Sequence, residues 1–143
     1  RFAARGVRKV HTTALDAFRG RPVEANPASL VAPEELPDRL PWVETIASGA
    51  AADPRAVDAL VEAGVEGLVV ATTGNGTVHA ALEPALERAM AAGVAVLRAT
   101  RVPEGGIDEP HADRARFPSA GDLAPSQARV ELMLRLLAGP RRP

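Results

Sequence analysis

The residues able to do chemistry here are few, and they are spread along the chain. Lys9 is the only lysine, all other basic charge being carried by arginine. Once desolvated, lysine can act as a proton acceptor where arginine cannot; a solvated surface lysine is the alternative reading. Thr12 and Thr13 follow closely, but neighbouring side chains of an extended segment alternate in direction, so neither is clearly aimed at Lys9. Thr77 follows Asn75-Gly76 and precedes a helical pattern, where its hydroxyl can cap backbone N–H groups or reach a ligand. Asn75 with Gly74 and Gly76 has the composition of an anion-binding turn at a helix N-terminus, and equally of an ordinary Asn-Gly turn. Glu104, Asp108 and Glu109 lie in a stretch rich in Pro and Gly and are acidic candidates for holding an amino group, with a solvated loop as the other reading.

Composition removes several classes of chemistry. The chain has no cysteine, which excludes disulfides, thiolate zinc sites, iron–sulfur clusters and a cysteine nucleophile. Its three histidines, His11, His79 and His111, lie far apart without ligand spacing, so surface or hydrogen-bonded structural roles are expected and no metal. Neither G-x-G-x-x-G nor a P-loop occurs, and no cofactor is expected. A net charge of -1 with no acidic or basic block argues against a nucleic-acid partner or a membrane surface. No stretch approaches the ~18 apolar residues of a membrane span, and the first residues lack a signal peptide's apolar core, so a cytoplasmic protein is expected. The 143 residues, 46% of them hydrophobic, suit one modest domain with an appendage.

The elements that must position these residues are legible from periodicity. Residues 67–101 read as strand, glycine turn, helix and strand, because Leu68-Val69-Val70-Ala71 is a short β-branched run while the segment after Thr77 has helical spacing. Leu82, Leu86, Ala89 and Met90 give that helix its apolar stripe, Gly93 ends it, and Pro84 predicts an irregular or kinked first turn. The handedness of such a crossover makes the two strands parallel, and residues 72–77 then fall where ligands collect in open parallel sheets. Upstream, residues 42–48 read as a first strand. Asp53-Pro54 opens a helix with Asp as N-cap and Pro at the first position, Val57, Leu60 and Val61 face the core, and Gly64 closes it.

The expectation is α/β: a small three-layer domain with a parallel sheet, running β, α, β, α, β over residues 42–99. Residues 102–122 form a long loop of the kind that is usually functional or mobile. Residues 125–137 form a last helix with Val130, Met133, Leu134 and Leu137 on one face. Residues 19–41 carry five prolines, Pro22, Pro27, Pro33, Pro37 and Pro41, and suit a linker.

Residues 42–137 resemble the C-terminal domain of the bacterial-type L-asparaginase and glutaminase family. The likeness rests on the G-N-G-T turn, the A-V-L-R-A-T-R-V strand exit and the P-S-Q-A-R helix start, which recur in family order. The run A-R-G-V-R-K-V-H-T-T-A-L-D-A-F, residues 4–18, resembles the end of the family's N-terminal domain. Three segments follow: residues 1–18 as the end of that domain, 19–41 as a proline-rich linker and 42–143 as the C-terminal α/β domain.

The resemblance implies an amidohydrolase that converts L-asparagine, or L-glutamine, to the acid and ammonia. It places Lys9 as the catalytic lysine of a Thr-Lys-Asp set that activates a hydroxyl nucleophile. It makes Thr77, with Asn75 beside it, and Glu109 substrate-binding residues contributed to a neighbouring subunit, hence a homo-oligomer. Thr77 stands where the family usually has Asn or Ser, keeping the hydroxyl and adding a methyl. Ala124 replaces the asparagine that commonly precedes the proline opening the last helix, which predicts the loss of a side-chain cap.

The family's T-G-G-T-I-like nucleophile loop and its T-D turn do not occur in these residues. The expectation is therefore a C-terminal part of such an enzyme, a fragment or a truncated homologue, inactive alone. A non-catalytic α/β module for oligomerisation or small-ligand binding is the alternative.

Overall fold

Strand β2, Gly67–Thr72, is buried at every residue, and the other elements are arranged to cover it. In the computed structural model, which describes residues 38–102, 106–107 and 116–138, it lies between β1, Val43–Ala47, and β3, Ala95–Thr100. The order is β1-β2-β3 and both pairings are parallel, with Val43 opposite Gly67, Val69 opposite Leu97 and Thr72 opposite Thr100. Parallel neighbours require crossovers, and helices α1, Pro54–Glu62, and α2, Glu83–Ala91, supply them. A last helix, α3, runs Pro125–Ala138.

Alternation along the strands divides the core in two. Leu68, Val70 and Val96 pack with Val57 of α1, with Leu86 and Ala89 of α2, and with Phe117. Val43, Val69, Leu97 and Ala99 point the other way, onto Ala128 and Leu132 of α3. The result is three layers, as the sequence pattern predicts. Gly67 lets α3 approach: a Cβ there would lie 3.0 Å from Leu132 Cδ2 and 3.1 Å from Val43 Cγ2. Burying one such aliphatic side chain stabilises by roughly 1.5–3 kcal/mol.

Local signals set most boundaries. Asp53 caps α1 as expected, its Oδ1 accepting from Arg55 N–H at 2.9 Å ahead of Pro54. Gly64 and Gly93, at φ 88° and 89°, take the left-handed position after α1 and α2. Pro84 lies in the first turn of α2, and residues 77–82 precede the helix rather than forming a kinked part of it.

Two apolar faces differ from the sequence pattern. Met90 is 39% exposed, so the apolar stripe is Leu82, just ahead of α2, with Ala85, Leu86 and Ala89 of the helix. On α3 the core face is Ala128 and Leu132, flanked by Met133 and Leu136, while Val130 is 45% exposed. Small Ala128 permits close approach to the sheet; of the larger residues that the spacing groups together, Met133 flanks this core face, Leu134 and Leu137 are half-buried, and Val130 lies away from it. Ala124 keeps part of a cap by another route. Its N–H donates to Gln127 Oε1 at 2.9 Å, the backward half of a capping box, while the forward half has no side chain to make it.

The start of the sheet is held by a reciprocal pair. Glu66 Oε1 accepts from Trp42 N–H at 2.9 Å and Trp42 O accepts from Glu66 N–H at 2.9 Å. The Trp42 N–H and then the Arg39 guanidinium hold the Glu66 carboxyl below its ordinary pKa. A group whose folded pKa is depressed contributes stability above its unfolded pKa and loses it as pH falls through the folded value. Acid titration of unfolding should therefore show a loss beginning near pH ~4.3 and continuing below it, and Glu66→Gln should flatten that part of the profile. Urea denaturation should also rank the α3 faces, with Leu132→Ala destabilising by about 2–5 kcal/mol and Val130→Ser changing stability by less than about 0.5 kcal/mol.

Candidate functional site

The carboxyl end of β2 opens into a turn whose backbone is fixed and whose side chains are presented. Thr72 ends the strand with its side chain buried, the hydroxyl donating to Ala99 O at 3.0 Å. The chain then reverses through Gly74 and Gly76, at φ 52° and 77°, and Thr77 N–H returns to Thr73 O at 3.4 Å in an isolated antiparallel bridge. Strand β3 braces the turn from one side. Thr100 Oγ1 donates to Gly74 O at 2.7 Å and accepts from Val102 N–H at 3.1 Å, and Arg98 Nη1 donates to Gly76 O at 3.2 Å. From the β1 side, Ser48 Oγ accepts from His79 N–H at 2.8 Å, while Arg101 Nη2 donates to Ser48 O at 3.1 Å.

Asn75 and Thr77 are both exposed on this turn, so two of the four site residues expected from sequence are brought together. Lys9 and Glu109, like Glu104, Asp108, Thr12 and Thr13, lie outside the described residues. Thr77 does not cap α2: the N-cap is Leu82, which makes no side-chain cap bond, and Glu83 begins the helix. For the same reason Asn75 and its glycines are a turn between strand and pre-helical loop and not the N-terminus of the helix. His79 has a hydrogen-bonded structural role, its Nδ1 accepting from Ala81 N–H at 3.2 Å.

Sequence reading passed over Arg98, Thr100 and Arg101 as anchors of the turn. Their signal was present, since polar or charged side chains at the exit of an otherwise apolar strand need partners. A cavity of about 520 Å³ lies beside the turn, lined by small residues of 47–52 with Asp53, Leu82 and Arg101. Neither Asn75 nor Thr77 lines it. Arg55 occupies Asp53, and the hydrogen bond from its side chain holds that carboxyl below its ordinary pKa.

Chemically, this geometry positions the side chains that the turn exposes. The hydroxyls of Thr72 and Thr100 are spent on carbonyl oxygens. Among the described residues no group of three or more His, Asp or Glu side chains could hold a metal ion. No helix among them is long and apolar enough to cross a membrane.

Residues 42–142 match the family described as the Glutaminase/Asparaginase C-terminal domain, and the chain belongs to that family. The Haemophilus influenzae protein named probable L-asparaginase periplasmic is 39% identical over 102 residues, 69% of this chain and 29% of that protein. The glutaminase-asparaginase of Pseudomonas fluorescens is 35% identical over 102 residues, 68% of this chain and 28% of that one. Among solved structures, the probable cytoplasmic L-asparaginase of Campylobacter jejuni superposes with a TM-score of 0.63 at 36% identity, covering 68% of this chain and 33% of that one. The chain thus spans less than a third of the length of these curated relatives.

The two turn glycines separate backbone strain from steric clash. A Cβ on Gly74 meets nothing within 4 Å, whereas one on Gly76 would lie 2.6 Å from Ile107 Cδ1. Both sit at positive φ, which costs a non-glycine residue roughly 1–2 kcal/mol. Gly74→Ala should therefore cost about that amount in urea denaturation, and Gly76→Ala clearly more, because Ile107 must also move.

Proposed function

We propose that this chain is the C-terminal part of an amidohydrolase that converts L-asparagine, or L-glutamine, to the corresponding acid and ammonia. In this reading residues 1–18 close an N-terminal domain, 19–41 link, and 42–143 form the C-terminal domain. The observation that carries the reading is the pair Asn75 and Thr77, exposed on a rigidly braced turn in a chain of this family. Relatives named for L-asparagine and for both amides support the substrate class without choosing between the two. The cytoplasmic placement has the Campylobacter neighbour's name on its side and the Haemophilus relative's name against it.

The roles divide by chemistry. Hydrolysis of an amide through an acyl intermediate needs an activated hydroxyl or thiol. Thr72 and Thr100 spend their hydroxyls on carbonyl oxygens, and the nucleophile in this reading comes from a T-G-G-T-I-like loop that is not among these residues. Lys9 serves that nucleophile as proton acceptor, which requires burial or a cationic neighbour to lower its pKa from the ordinary ~10.4. Thr77, with Asn75, and Glu109 reach the substrate in a neighbouring subunit's site, so the working enzyme is at least a dimer.

Ammonia release from L-asparagine and L-glutamine tests the reading, with circular dichroism on the same samples. The 143-residue chain alone should be folded and give no turnover above the buffer blank. Joined to a segment bearing the nucleophile loop it should turn over, and Lys9→Arg should lower that rate by about 10²–10⁴-fold, since arginine keeps the charge but cannot give up the proton. Turnover by the chain alone that vanishes in Lys9→Ala would mean it carries its own nucleophile. Near-normal turnover in Lys9→Arg would remove the lysine from the mechanism.

A further inference from the structure

Arg98 is a charged residue in the middle of β3, between buried Leu97 and Ala99. Its backbone serves the segment that follows residue 116: its N–H donates to Pro118 O at 2.9 Å and its carbonyl accepts from Ala120 N–H at 2.8 Å, forming the parallel bridge to Ser119. Its side chain reaches two further carbonyls in different places. Nε donates to Phe117 O at 2.8 Å, and Nη1 donates to Gly76 O at 3.2 Å. A guanidinium is planar and its donors diverge at fixed angles, so these two carbonyls are held at a set separation.

Other contacts converge on the same place. Ile107 packs under the turn, close enough that a Cβ on Gly76 would strike it, and its N–H donates to Gly121 O at 3.1 Å. Phe117, which lends its carbonyl to Arg98, is itself in the core beneath α1 and α2. The turn carrying Thr77 and the segment 117–121 are therefore joined through the Arg98 guanidinium and through Ile107, although they are remote in sequence.

We propose that Arg98 is a positioning residue: its guanidinium couples the turn that carries Asn75 and Thr77 to the segment 117–121, so that the aim of Thr77 at substrate depends on that segment. The inference rests on the reading of Thr77 as a substrate-binding residue. Lysine cannot replace Arg98, because a single ammonium lacks the fork that reaches both carbonyls. Thr100 differs in that its hydroxyl reaches Gly74 O of the turn and Val102 N–H, and not the segment 117–121.

Amide hydrogen exchange on the 143-residue chain separates the two roles. In Arg98→Lys, exchange at Thr77 and at Ala120 and Gly121 should accelerate together, by about tenfold, the order expected for losing one buried hydrogen bond. Thr100→Val should accelerate Thr77, and Val102 whose partner it removes, but neither Ala120 nor Gly121. Unchanged protection of α1 shows that the fold is intact, and if Arg98→Lys loses it, Arg98→Gln takes its place in the comparison. Acceleration in only one segment of the Arg98 variant, in neither, or in both segments of Thr100→Val would overturn the coupling.

In protein that turns over L-asparagine, Arg98→Lys should raise KM several-fold and leave kcat within about twofold, because a mispositioned binding residue weakens ground and transition states alike. A fall in kcat with KM unchanged would overturn the positioning role. Absence of turnover in the wild-type chain joined to a segment bearing the nucleophile loop would refute the proposed activity, while the exchange data would still decide the coupling.

Discussion

A strand buried on both faces and paired on both edges leaves its neighbours little freedom, and β2 is such a strand. Its apolar run must be covered twice, so α1 and α2 take one face and α3 the other. Both pairings are parallel, so every strand exits at the same end of the sheet and its connections gather there. The turn that presents Asn75 and Thr77 is the exit of this central strand, which is why β1 and β3 can brace it from either side. Gly67 belongs to the same constraint: only a residue without a side chain lets Leu132 lie directly on the strand.

This constraint also explains what kind of site the domain can supply. The backbone of the turn is held through carbonyl oxygens, at Gly74 by Thr100 and at Gly76 by Arg98. Anchoring carbonyls leaves the side chains of residues 75 and 77 outside, where another molecule can meet them. The same anchors consume the polar groups nearby, so the site is well placed for recognition and poor in groups that could start a reaction. That division fits a domain that matches less than a third of its relatives' length.

Most of the architecture was legible in the sequence, and the exceptions share a cause. Asp53-Pro54, Gly64 and Gly93 act through local backbone chemistry, so their positions could be read without knowing the fold. The central strand could be read because no other short element is so uniformly apolar. The α3 face could not, because Ala128 contributes by being small and Val130 is apolar without being covered. Thr77 looked like a cap because it stands before a helical pattern, but the antiparallel return to Thr73 delays the helix to Glu83. The bracing by Arg98 and Thr100 depends on which loops meet in space, which neither spacing nor composition encodes.

Trp42, the only tryptophan in the chain, donates its indole N–H to Glu44 Oε1 at 2.8 Å and shares its backbone with Glu66 at the amino end of the sheet. With no tyrosine present, the near-ultraviolet emission of the protein comes almost wholly from that one ring. It stands at the opposite end of the strands from the Gly74–Gly76 turn. Fluorescence therefore reports whether β1 is docked and is silent about the working end, so a sample could hold its full emission signal while the turn has come loose.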